Sequence, residues 1–266
     1  MSARHASDDM TARARAWRHA THAAVCDTLE PWAHGTVVRA ARYPSYWDFN
    51  VVRVEDDPPM DADNLEAFAD EALAGLAHRR VDVEVTAAAE RLRPAFEAKG
   101  WRALRVVWMR HEAPPPAVPD VPVEEVPYDA VQHLRVAWHE EDFPSQDAGE
   151  AAAYHAQARE VAMRRNVQVL AVRERGAPVA FAQLERDGPG AEITQVYVHP
   201  EHRGAGRGTA MTRAAIAAAG DVRDLWIIAD DEDRPKELYR RLAFRPVWTA
   251  MEFTRMPGAA GPASAR

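Results

Sequence analysis

The chain has 266 residues, 47% hydrophobic and 28% charged, an ordinary globular composition with room for one large domain or two average ones. Its formal net charge of -8 argues against a general nucleic-acid binder, which needs a basic surface to displace counterions from phosphates, but leaves room for a local basic pocket. The single cysteine, Cys26, excludes an intrachain disulfide and a cysteine metal cluster, and in alanine-rich helical surroundings it reads as a small buried residue rather than a catalytic thiol. No apolar run approaches the roughly 20 residues that span a bilayer. Met1 to Trp17 lacks the apolar core of a secretory signal, so the expectation is a cytoplasmic protein, with neither membrane nor nucleic acid as partner.

In chain order, Thr36–Arg42 and Phe49–Glu55 are expected to pair as strands. Between and within them, Tyr43, Tyr46, Trp47 and Phe49 form an aromatic cluster that reads as core or as a seam between domains. Asp61–His78 is an amphipathic helical run, Val81–Val85 a strand, Ala88–Ala98 a helix and Trp101–His111 a strand. Six prolines in the fifteen residues from Ala113 to Pro127 remove amide donors and fix φ, which predicts a linker at 114–127. This divides a domain at 1–113 from one at 128–256, with 257–266 (PGAAGPASAR) expected to be a disordered tail.

The second half reads as a helix at Tyr128–Trp138, an acidic loop with Glu140, Glu141 and Asp142, and a helix at Ala148–Arg165. Strands follow at Val167–Arg173, Pro178–Glu185 and Ala191–Val198, then a glycine-rich loop and a helix to Ala219 with Gly220 as its cap. A strand at Asp224–Ala229, a helix at Pro235–Leu242 and a strand at Phe244–Arg255 complete a mixed α/β pattern. Phe96-Glu-Ala-Lys-Gly-Trp-Arg in the first half echoes Tyr239-Arg-Arg-Leu-Ala-Phe-Arg in the second: aromatic, four residues, aromatic, arginine. Both lie between a short apolar strand and a long terminal one, which reads as a diverged internal duplication.

The strongest chemical signal is Arg203-Gly-Ala-Gly-Arg-Gly-Thr209, between a strand and a helix. Alternate glycines permit positive φ and expose amides, the following helix adds the unpaired N–H groups of its first turn, and Arg203 and Arg207 add positive charge. The composite is a pyrophosphate cradle. It fails as a P-loop, having no Lys after the second glycine, and is one residue short of the G-x-G-x-x-G of a dinucleotide loop. Asp230, after the next strand, keeps a nucleotide-dependent oxidoreductase open as an alternative.

This loop resembles the R/Q-x-x-G-x-G/A motif of the GNAT acetyltransferase superfamily, with Arg203, Gly206 and Gly208 in the defined places. Val196-Tyr-Val-His-Pro-Glu resembles that family's fourth strand and its exit, and Leu238-Tyr-Arg-Arg-Leu-Ala-Phe its "LYxxLGF" segment; the likeness covers about Tyr128 to Arg255. Ala243 stands where the last motif usually has Gly, and Glu232 where an Asn is often found.

The resemblance implies two GNAT-like mixed-sheet domains in tandem, the N-terminal one degenerate. Its acidic, proline-containing Asp56-Asp-Pro-Pro-Met-Asp61 is no phosphate cradle. It implies acetyl-CoA as cosubstrate, held by the main chain of Val196, Tyr197 and Val198 and by Arg203, Gly204, Ala205, Gly206, Arg207, Gly208 and Thr209. Tyr239 is the implied acid for the leaving thiolate and Glu192 the base for the amine. The expected acceptor is a small-molecule or peptide amine and the expected assembly a monomer or homodimer; a non-catalytic acyl-CoA sensor is the alternative. His199 and His202 are three apart with no third ligand evident, so no metal is expected.

Overall fold

A computed structural model describes residues 3–114 and 121–258; the middle of the expected linker and most of the expected tail lie outside them. The first half runs α1 (Ala3–Val25), β1 (Thr28–Trp32), β2 (Gly35–Arg39), β3 (Val51–Val54), α2 (Ala62–Ala72), β4 (Arg79–Val83), α3 (Thr86–Ala98) and β5 (Arg102–His111). The second runs β6 (Glu124–Val126), α4 (Gln132–Asp142), α5 (Ala148–Arg164), β7 (Gln168–Glu174), β8 (Ala177–Asp187), β9 (Gly190–Val198), α6 (Arg207–Ala219), β10 (Asp224–Asp230), α7 (Pro235–Arg241) and β11 (Phe244–Arg255). The mixed α/β reading holds, and the strands expected at 36–42 and 49–55 do pair, with Val37 opposite Val52. Among the described residues, no helix is long and apolar enough to cross a membrane.

The chain forms two compact units that differ from a cut at the proline-rich segment. One comprises residues through Val107, 230–232 and those from Trp248; the other is Trp108–Ala229 with Asp233–Val247. Three elements depart from the sequence reading: α1, β1 and β6. The last forms inside the expected linker and pairs with β7, Val126 opposite Val169.

In the first unit the strand order is β1-β2-β3-β4-β11. β3 and β4 are parallel and joined through α2, whereas β11 runs antiparallel to β4, Phe253 opposite Val81. Alternation divides these strands into two faces. Val52, Val54, Val81, Val83, Met251 and Phe253 point into a core completed by Leu65 and Leu73 near α2 and by Leu92 and Phe96 of α3. The Phe96 and Phe253 rings stack at 4.4 Å. The opposite face carries Arg53, Arg80, Asp82 and Glu252, and α1 meets it through charge. Arg18 pairs with the fully buried Asp82, while Arg15 and His19 reach Glu84 at 2.7 and 2.8 Å. Arg80 bonds Asp82 at 2.9 Å and Glu252 at 2.8 Å. Paired ions need one another in a dry site, so they orient the helix more than they stabilise it. A helix that buries arginine and histidine has no apolar stripe, which explains why periodicity missed α1.

The aromatic cluster expected as core or seam is core: Tyr43, Trp47 and Phe49 are buried in this unit. The Asn50 side chain organises them, accepting from Ala40 N–H and donating to the carbonyls of Tyr43 and Tyr46. Cys26 follows α1 and donates weakly to the Phe49 carbonyl, and burial pushes its thiol up to about 12, consistent with an inert residue.

In the second unit the order is β10-β9-β8-β7-β6. β6 to β9 are antiparallel and β9–β10 parallel. Val131, Leu134, Phe181 and Tyr197 centre its core, with α6 against β7, β8 and β9.

Phe253→Ala should lower the unfolding free energy by about 3–5 kcal/mol, read from urea denaturation, because the ring is fully buried against Phe96. A second test is pH. His78 is buried, stacks on Trp47 and bonds the Asn50 carbonyl; burial lowers it to about 4. The unfolded state therefore takes up a proton that the native state refuses. The full stability is present above the ordinary histidine value and is lost as pH falls toward 4, by on the order of 3 kcal/mol for this residue. His78→Gln should flatten the fall in melting temperature across that window.

Candidate acyl-donor site

β9 is hydrogen-bonded to β10 from Gly190 to Ile193, opposite Asp224 to Ile227. Its pairing with β8 shifts register between Gln183 and Leu184, stepping from Gln195 to Ile193 and leaving Thr194 as the extra residue of a bulge. Beyond this point β9 continues to Val198 on β8 alone among the described residues, so its other edge from Thr194 onward presents unpaired main-chain groups.

That edge opens into a cleft of about 370 Å³ lined by Val196, Val198, His202, Arg203, Gly204, Gly206, Arg207, Gly208 and Thr209, and by Pro235, Leu238, Tyr239 and Arg241. The chain leaves β9 through a 3-10 turn, Pro200–His202, and enters α6 through Gly204 and Gly206, both at positive φ (85° and 75°). A Cβ at either would meet nothing within 4 Å, so backbone conformation alone demands glycine there. The first helical bond of α6 is Ala210 N–H to the Gly206 carbonyl at 3.0 Å, which leaves the amides of Arg207, Gly208 and Thr209 for an anion. Gly208 has ordinary φ, but a Cβ there would sit 3.5 Å from Leu238 across the cleft.

The two arginines brace this loop. Arg203 donates through Nε to the Val198 carbonyl at 2.9 Å and through Nη2 to Glu141 at 2.7 Å. Arg207 donates to the His202 carbonyl at 2.8 Å and pairs with Glu174. Glu141 also accepts the Tyr197 hydroxyl. Burial alone would raise the Glu141 carboxyl, but the bonds from Tyr197 and Arg203 hold it below its usual value. Burial, with the Glu141 charge, pushes the Tyr197 phenol up. The expected acidic loop is thus the last turn of α4, and one of its carboxylates already serves the cradle.

Tyr239 on α7 is only 6% exposed, lines the cleft and lies edge-on to Phe244. Burial raises its phenol to about 12, so it stays protonated at neutral pH. Tyr197 and Ala205 do not line the cleft, and neither does Glu192. Glu192 is 8% exposed on the doubly paired stretch of β9, opposite Trp226 and Glu185. Sequence reasoning passed over His202, Pro235, Leu238 and Arg241 as lining residues, although Leu238 stands in the motif that located Tyr239. It also passed over an aromatic cluster at α4 and α5, where His139 stacks on Tyr154 at 4.6 Å and burial lowers His155 to about 4.

Among its described residues the first unit offers no equivalent cradle. Asp61 caps α2 with its own carboxylate, accepting from Asn64 N–H at 2.9 Å, and Arg91 pins the preceding loop through Asp57 and the Pro58 and Met60 carbonyls.

Residues 128–244 match the model of the Acetyltransferase (GNAT) family. No curated protein matches the chain in sequence. Among solved structures, a functionally unknown conserved protein from Staphylococcus epidermidis superposes with a TM-score of 0.63 at 14% identity, covering 87% of this chain and 94% of that one. A tandem GNAT protein from the clavulanic acid biosynthesis pathway superposes at 0.50 with 16% identity, covering 78% and 75%. The match to the GNAT family covers residues 128–244, and the fold of the chain is similar to that of the tandem GNAT protein.

Ala243, at the position of the family's glycine, has φ of 64° and closes α7 with its N–H on the Arg240 carbonyl. Its counterpart after α3, Gly100, has φ of 79°. A left-handed alanine is strained, and glycine relieves the strain at some cost in unfolded-chain entropy. Ala243→Gly should therefore stabilise the protein by about 1 kcal/mol, measured as a rise in urea midpoint.

Proposed function

We propose that the GNAT domain at residues 128–244 transfers an acetyl group from acetyl-CoA to a primary amine of a small molecule or peptide. One observation carries this reading: the unpaired edge of β9 leads along a single cleft from a buried, protonated Tyr239 to the free amides that open α6. An extended amide-bearing arm would add to β9 at Val196 and Val198 as a strand does, through main chain. The amides from Gly204 to Thr209 would hold the pyrophosphate; the Arg203 N–H is taken by the Pro200 carbonyl, and the side chains of Arg203 and Arg207 keep the loop in shape.

In the reaction the amine nitrogen attacks the thioester carbonyl carbon, the carbon–sulfur bond breaks and an amide forms. The departing thiolate takes the Tyr239 proton; a phenol held near 12 by burial is a donor that does not ionise beforehand. The amine's proton is assigned to Glu192, relayed by water because that carboxylate does not line the cleft. The reaction is proposed for the cytoplasm and uses no metal.

Calorimetric titration with acetyl-CoA, beside NAD as a control, tests the reading. Saturable binding of acetyl-CoA that Gly206→Glu abolishes is the expected result, since bulk and negative charge at that glycine would block the pyrophosphate. A folded protein that binds no acyl-CoA overturns it. With an acceptor in hand, Tyr239→Phe should lower kcat by about 100-fold or more while leaving acetyl-CoA affinity nearly unchanged. Unchanged turnover in that variant would leave an acid role for Tyr239 untenable.

A further inference from the structure

The turn that joins β9 to the glycine loop holds a cluster that the acyl-donor reading does not use. In a 3-10 helix, side chains three residues apart eclipse one another. His199 and His202 flank the turn Pro200–His202 at that spacing, and the His202 N–H bonds the His199 carbonyl at 2.8 Å. Their rings lie with centroids 5.9 Å apart. Glu201 joins them: one ligating atom from each of His199, Glu201 and His202 falls within 4.8 Å of the others. Pro200, at the start of the turn, fixes its backbone before any ligand arrives.

We infer that His199, Glu201 and His202 form a binding site for a divalent transition-metal ion of the zinc class, open to water at its remaining position. Two imidazoles and one carboxylate suit zinc and its neighbours in preference to magnesium or calcium, which take all-oxygen shells. A second observation points the same way. Glu174 lies 3.2 Å from His202 Nδ1, the carboxylate–histidine arrangement that fixes a ring's tautomer and leaves Nε2 as its ligating atom. The nearby cations are already matched, Arg203 by Glu141 and Arg207 by Glu174. Because His202 also lines the cleft, an ion held here sits at the rim of the anion cradle.

Calorimetric titration of the full chain with Zn²⁺ in the absence of any acyl-CoA tests the site independently of the transferase reading. One saturating equivalent is expected. The double variant His199→Ala/His202→Ala should weaken it by about 100-fold and Glu201→Gln by about 10-fold. His34→Ala, which removes a surface histidine paired with Asp56 outside this turn, should leave it unchanged. Glu201 is exposed, so its variant keeps the test valid even if the double variant folds poorly. Absence of saturable zinc binding by the wild type overturns the inference. So does an isotherm that Glu201→Gln or the folded double variant leaves unaltered.

Discussion

The second unit is organised by the obligation of main-chain groups to find partners, and by the point on β9 where one set of them stops finding any. Through Ile193 the strand is bonded on both sides; from Thr194 it is bonded on one. The bulge that accompanies the change re-aims the strand, and the downstream chain inherits its direction. β9 ends where the 3-10 turn begins, the turn sets the glycine loop, and the loop sets where α6 starts and which amides face the cleft. Extending the β9–β10 ladder by a few residues would satisfy more hydrogen bonds and leave no cleft.

Charge in this site is distributed differently from what its sequence invites. Two arginines in a glycine loop suggest direct phosphate ligands. In the folded unit each guanidinium is divided between a loop carbonyl and a carboxylate, so formal charge goes into holding the loop. Anion-binding capacity in this loop then rests on backbone dipoles, whose direction depends on the positive φ of Gly204 and Gly206. The first unit shows the converse: its helix start is closed by Asp61, a cap that improves the helix and removes the anion site together.

Local signals were legible and non-local ones were not. Helices and strands from Ala148 to Arg255 fall within a few residues of the sequence reading because each carries its own pattern and is punctuated by glycine or a tight turn. Gly220 caps α6 at positive φ as composition suggests. The Phe96 and Tyr239 echoes end in the same left-handed cap, although one has glycine and the other alanine. α1 was hidden because its buried face is charged, and β1 because Pro31 interrupts it, as an edge strand tolerates. Which candidate residues share the cleft could not be read either. Tyr197 lies between Val196 and Val198 yet faces the other way, and Glu192 sits on a stretch whose edges are both bonded. Alternation decides such orientations once the register is known, and register belongs to the whole sheet.

β11 gives the polypeptide a particular order of assembly. Its residues from Trp248 belong to the unit that otherwise ends at Val107, where Phe253 and Met251 fill the core and Glu252 meets Arg80. During synthesis that unit waits with an open flank through more than half the chain's length. Until the last strand leaves the ribosome, Phe96 lacks the Phe253 ring it stacks on, and Arg80 lacks Glu252. Translation itself therefore makes the two units interdependent: the earlier half reaches its native state only after the later half has been made.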